Sequence, residues 1–167
     1  MITPEYCQMM AAYNAWQNNG LRDLVQSTSQ DVLTRDRGAF FGSIFGTLNH
    51  LLWADTVWIA RLDKSSGTDV ALSESTAFSP TPAVWAAERF RMDGRIAQWA
   101  DKLHTVDLVG PLSWHSAALG QTVTKPMSQC VVHMFNHQTH HRGQIHAMLT
   151  AAGENPIATD LPFMPET

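Results

Sequence analysis

A chain of 167 residues, 44% of them hydrophobic, is long enough to bury a substantial core as a single domain spanning residues 1–167 without disulfide help. Its formal charge of −4 and its lack of any Lys/Arg cluster argue against a nucleic-acid or anionic-membrane surface, and no segment approaches the ~18 uninterrupted apolar residues of a membrane helix. Only 16% of the residues are charged. That is low for a fully solvated surface, and it predicts a face covered by a second copy of the chain.

The opening Met-Ile-Thr-Pro-Glu-Tyr has neither the basic start nor the apolar run of a signal peptide. Two cysteines, Cys7 and Cys130, fall inside predicted helices at core positions and form no CxxC pattern. A reduced, cytoplasmic protein is the expectation.

The first predicted helix begins with Thr3 as N-cap and Pro4 at the first helical position. Its apolar stripe is Tyr6, Met10, Tyr13, Leu21 and Leu24, and it fades at Ser27-Thr28-Ser29. A second helix is predicted from about residue 38 to 62. Phe41, Ile44, Leu48, Leu51, Leu52, Ile59 and Leu62 follow the 3.6-residue period there. Residues 64–80 are rich in Ser, Thr and Gly and read as a long crossover loop.

Thr81-Pro82 repeats the opening signature of the first helix, and a third helix follows to about residue 104, with Trp85, Met92, Ile96, Trp99 and Leu103 on one face. The pattern changes over residues 107–125. Leu112–Ser116 and Gln121–Thr124 flank Ala-Ala-Leu-Gly, which fits either a short hairpin or an irregular loop. A fourth helix runs from near Pro126 to Gly153, a good terminating residue, and a tail with three prolines is expected to pack over the surface. The fold class predicted is all-α, a four-helix bundle with one long crossover between helices two and three.

Five of the eight histidines crowd into the fourteen residues from His133 to His146. On a helix, residues four apart share a face, so His133, His137 and His141 stack turn upon turn. His133 and His141 lie ~12 Å apart along the axis and cannot both join His137 on one ion. Spacing alone leaves two pairs open, His133/His137 and His137/His141. Either pair supplies two ligands, and a tight site needs a third from another element. His50, mid-helix among apolar residues, is the natural candidate, although such a histidine is more often a hydrogen-bonded core residue. Neighbouring His140 must point about 100° away from His141 and is expected to face solvent or bond within its own helix.

Other site types are absent from the sequence. Gln138 stands where a zinc protease would have Glu after His137, no Glu-x-x-His pair marks a di-iron bundle, and there is no phosphate loop or nucleophile elbow.

The element Asn136-His137-Gln138-Thr139-His140-His141-Arg142-Gly143-Gln144, together with His50 in Leu-Asn-His-Leu-Leu-Trp-Ala-Asp, resembles the DinB family of DinB/YfiT-like metalloenzymes. Tyr13–Asn18 and Asp36–Ile44 match the family's first helix and the approach to its second. The resemblance implies an up-down-down-up four-helix bundle. It also implies a metal triad of His50, His137 and His141, with His133 a neighbour. Members with assigned activity include thiol S-transferases and a mycothiol-dependent isomerase, while many have no known reaction. Family members are often dimeric.

A centre of three neutral imidazoles leaves a divalent ion its full charge and an open position. It can then lower the pKa of bound water or hold a thiolate at neutral pH. Zinc or nickel suits imidazole best, with manganese and iron as alternatives. The expected function is a metal-dependent enzyme of the thiol S-transferase type, acting on a small molecule with a low-molecular-weight thiol. The alternatives are a metal-dependent hydrolase and a non-catalytic, stress-associated metal-binding bundle. Ordinary imidazoles would make metal affinity fall between pH ~7 and ~5. Around the triad, Asp55 and Trp58 are expected to support the site and Gly143 to admit another helix. Gln144 is expected to bond nearby backbone, and Arg142 to make a structural or subunit-interface ion pair.

Overall fold

The computed structural model describes residues 2–117 and 119–166. Ala118, inside the expected connection between the two strands, lies outside them, as do Met1 of the opening segment and Thr167.

Helix α1 (Pro4–Ser27) opens as its sequence dictates. The Thr3 hydroxyl accepts from the Tyr6 N–H at 3.3 Å, and Pro4 takes a position whose N–H would be unbonded anyway. The fading after Ser27 is only a break, because Ser29 caps a five-residue helix, α2 (Gln30–Thr34), that the periodicity did not reveal. So short an element carries no readable 3.6-residue stripe.

Helix α3 (Ile44–Asp63) starts six residues later than predicted. Gly38 and Gly42 adopt φ of 65° and 73°, folding residues 39–42 into a tight turn closed by an Ala39–Gly42 bridge. Ser43 then caps the helix by accepting from the Gly46 N–H at 3.0 Å. Phe41 therefore belongs to a turn, although it falls in phase with the helical stripe.

After α3 the crossover holds a 3-10 turn over Leu72–Ala77. Helix α4 (Pro82–Asp101) ends short of the predicted His104, because the chain turns into a second 3-10 segment, Thr105–Leu108, where Asp107 accepts from the His104 N–H at 2.8 Å. Strands β1 (Pro111–Ser116) and β2 (Gln121–Pro126) pair antiparallel with Trp114 opposite Val123, so the hairpin reading fits the described residues better than an irregular loop. Helix α5 (Met127–Ala151) follows at once. Gly153 at φ 86° ends it, and the Glu154 N–H returns to the Leu149 carbonyl at 3.0 Å.

The chain is thus mostly helical with one small two-stranded sheet. The long helices share a core in which Leu48, Leu52 and Ile59 of α3, Trp85 and Ile96 of α4, and Phe135, Ile145 and Leu149 of α5 are almost fully enclosed. Burying each such side chain contributes about 1.5–3 kcal/mol. Contacts advance together along α3 and α4, with Leu48 against Trp85, Asp55 against Arg89 and Asp63 against Arg95. They run oppositely between α3 and α5, where His50 meets His141 and Trp58 meets His133. Asn18 on Asp93 and Arg22 over Phe90 give the same opposed sense to α1 and α4. Tyr6 on Phe135 and Tyr13 under Arg142 make α1 and α5 advance together.

A polar stratum crosses this core. Asp55 accepts from Arg89 and from Gln138, each at 2.5 Å, and Asp93 pairs with Arg89 at 2.8 Å and accepts from Asn18 at 2.8 Å. The tail packs on α1 as expected. The Tyr13 hydroxyl donates to the Thr159 carbonyl at 2.6 Å, and Gln17 donates to the Ala158 carbonyl at 2.9 Å. Among the described residues no helix is long and apolar enough to cross a membrane.

Candidate metal centre

The antiparallel packing of α3 on α5 carries His50 to the level of His137 and His141. The potential ligand atoms of these three side chains all lie within 4.8 Å of one another. His50 Nε2 and His137 Nε2 are 3.3 Å apart. Two nitrogens bound about 2.05 Å from one tetrahedral ion would themselves be separated by about 3.3 Å. His133 is exposed, with its ring 5.6 Å from that of His137, and stands outside the cluster.

The outer nitrogens are engaged by neighbours. His50 Nδ1 lies 3.0 Å from Ser75 Oγ, and His141 Nδ1 lies 2.7 Å from Gln144 Oε1. In the tautomers that donate from Nδ1, both Nε2 lone pairs are left for the space between the rings. Gln144 thus bonds a histidine ring, not the backbone partner expected of it, because a residue three positions on shares the same helix face. Its amide nitrogen approaches His140 at 3.3 Å, so the exposed His140 does bond within its own helix.

Ser75 and Phe41 were not found by reading the sequence. Ser75 is fully buried in the 3-10 turn of the crossover, which Asn49, the residue before His50, holds in place. The Asn49 amide donates to the Thr76 and Ser79 carbonyls at 3.0 and 3.2 Å and accepts from the Ser79 N–H at 3.0 Å. Phe41 stacks on His50 with ring centroids 3.8 Å apart and lies 5.3 Å from His141. Ser75 stands in a polar loop without periodicity and Phe41 falls in phase with a helical stripe, so the sequence marked neither as a site residue.

Four expectations are corrected. Asp55 touches no triad member; it holds Gln138, the residue after His137, and Arg89. Arg142 is 5% exposed, lies over the Tyr13 ring at 5.4 Å and has no ion pair among the described residues, so it is not an interface partner. A Cβ on Gly143 would meet nothing within 4 Å, so no helix approaches there. The pH window also moves. Burial first, then the His141 charge, pushes His50 down to about 4. Burial first, then four neighbouring histidines, pushes His137 down to about 3, and burial also lowers His141. Protons therefore compete with a metal for His50 and His137 at lower pH than they would for ordinary imidazoles.

A cluster of neutral, pre-oriented imidazole nitrogens fits a divalent ion of the borderline-soft class. Compared with known proteins, the sequence model of the DinB family matches residues 1–167. The chain is 25% identical over 152 residues to a protein of Bacillus subtilis (strain 168) named Protein DinB, a match covering 89% of this chain and 87% of that one. No solved structure matches. Since the family match takes in the capped first helix, both helices that bring the histidines together and the tail, the chain belongs to the DinB family.

Proposed function

We propose that this chain holds one divalent ion on His50, His137 and His141 and acts as a metal-dependent enzyme of the thiol S-transferase type on a small molecule. The observation that carries the metal reading is the convergence of three imidazoles, with the outer nitrogens of His50 and His141 held by Ser75 and Gln144. Zinc or nickel suits this all-imidazole donor set best. When bound, such an ion supplies positive charge that favours the deprotonated form of a thiol at neutral pH.

The chain's own residues do the positioning. Phe41 covers one face of His50 and keeps water from it, while half-buried His137 leaves an approach from the side of exposed His133. Cys7 is fully buried with its thiol pushed up to about 11 by burial, and burial also raises buried Cys130, so neither is a nucleophile at neutral pH. The reacting thiol therefore comes from a small molecule. Its sulfur bonds to the electrophilic carbon, the leaving group departs with its electron pair, and the thiol proton passes to solvent.

The frame for this chemistry is one domain over residues 1–167, with the up-down-down-up connection of the family. The sense of the contacts among α1, α3, α4 and α5 supports that connection. A homodimer in the cytoplasm, without nucleic-acid or membrane partners, completes the reading.

The test is conjugation of a chloro-dinitrobenzene by zinc-loaded protein, with glutathione, mycothiol and bacillithiol supplied in turn. Turnover with at least one thiol, lost in His137→Ala, is the expected result. Ester or amide hydrolysis without thiol turnover would replace this reading with a hydrolase. Neither reaction would leave a non-catalytic metal-binding bundle.

A further inference from the structure

Arg61 lies eleven residues beyond His50 on α3, which returns it to nearly the same face of the helix about 16 Å further along. Its guanidinium carbon sits 4.6 Å from the Trp58 ring and 5.0 Å from the Trp114 ring of β1, and the two indoles meet edge to face at 5.5 Å. Among the described residues no carboxylate pairs with it. The three side-chain ion pairs among the described residues join Arg89 to Asp55 and Asp93 and Arg95 to Asp63, whereas half-buried Arg61 is held between two aromatic faces.

Rings join Arg61 to the triad. Trp58 lies 4.9 Å from His133, and His133 lies 5.6 Å from His137. His133 is exposed, while Trp58 and Trp114 are half-buried, so this is an accessible shelf along the α3–α5 seam. Helical side chains lean back towards the N-terminus, which brings the guanidinium nearer to His50 than the backbone spacing implies. Beyond Arg61 opens a cavity of about 910 Å³ that Lys64, Arg95 and Lys102 also line. Its two acids are already used, Asp63 by Arg95 and Asp107 by the His104 N–H. In a chain of net charge −4, this end of the shelf is locally cationic.

We propose that the small molecule handled at the triad is a carboxylate of about tripeptide length, lying on Trp58 and His133, with its anionic end received by the Arg61 guanidinium. The length follows from the reach, since three extended residues span about 10 Å. Arginine suits the task because its planar fork binds a carboxylate through two hydrogen bonds while its faces stack on indole. Arg61 is thus a specificity residue that touches the end of the substrate remote from the reacting atom. This inference rests on the small-thiol reading of the same site, and it selects carboxylate-bearing thiols over neutral ones.

The probes are glutathione and its diethyl ester, titrated into zinc-loaded protein and followed by quenching of tryptophan fluorescence, with zinc content measured in every sample. Wild type should bind glutathione about tenfold more tightly than the ester. Arg61→Gln should remove that preference by weakening glutathione alone, with zinc content unchanged. Arg61→Lys, which keeps charge and packing volume but loses the fork, should retain part of the preference and serves if the glutamine variant does not fold. Equal affinity of wild type for acid and ester, no binding of either, or a preference that survives in Arg61→Gln would overturn the proposal. Loss of zinc from wild type would count instead against the triad, so the two failures are distinguishable.

Discussion

His50 is 4% exposed and carries a ring set beside Ser75, His137 and His141, an arrangement that disfavours its protonated form. The consequence is a pH dependence of folding. With folded-state values of about 4 for His50 and about 3 for His137, against an unfolded value near 6.5, the unfolded chain binds more protons as pH falls below 6.5. Stability from these two rings is therefore fully present above pH ~6.5 and declines as pH drops towards their folded values. Metal-free protein should show a melting temperature that falls steadily from pH 7 to 4, and alanine at both positions should flatten that slope. A flat profile in the unsubstituted, metal-free protein would mean that the rings are not buried as described. The three histidines themselves were legible in the sequence. His137 and His141 share a helix face, and His50 stands alone among apolar residues, but choosing His141 over His133 required the family resemblance. Ser75 and Phe41 were illegible, because the first lies in a polar crossover and the second mimics a helical stripe while sitting in a glycine turn.

The long helices were read from caps and periodicity because both are local. Thr3-Pro4 and Thr81-Pro82 announce their helices, and Gly153 ends α5. The missed element α2 is too short to show a helical stripe, and the late start of α3 went unread because positive φ at Gly38 and Gly42 leaves no trace in hydrophobic spacing. Two glycines separate packing from propensity at this scale. Gly143 and Gly20 both lie inside helices, but a Cβ on Gly143 meets open space, while one on Gly20 would come within 2.6 Å of Ile157 in the tail. Gly143→Ala should stabilise the protein by about 0.5–1 kcal/mol in urea denaturation, since alanine is the better helix former. Gly20→Ala should give less than this or destabilise, with the tail cleaved faster by added protease. Equal stabilisation at both positions would contradict the seating of the tail on α1.

At the scale of the whole molecule, the low charge content predicted a covered face, and several large apolar side chains stand out from the surface. Phe40, Phe90 and Phe163 are 84%, 62% and 74% exposed. Phe90 on α4 and Met9 on α1, both exposed, are the positions to test by substitution. Light scattering at micromolar concentration should give the mass of two chains, and Phe90→Asp should shift it towards one. A monomer mass for the unsubstituted chain would refute the dimer. Everything said of function depends on the histidine triad, and a direct calorimetric titration of untagged, chelator-stripped protein with zinc tests it. One ion should bind per chain with His50, His137 and His141 intact. Alanine at any of the three should sharply weaken binding, and His133→Ala should leave it unchanged. No stoichiometric binding by the unsubstituted chain, or loss of the ion in His133→Ala with retention in His141→Ala, would contradict the account.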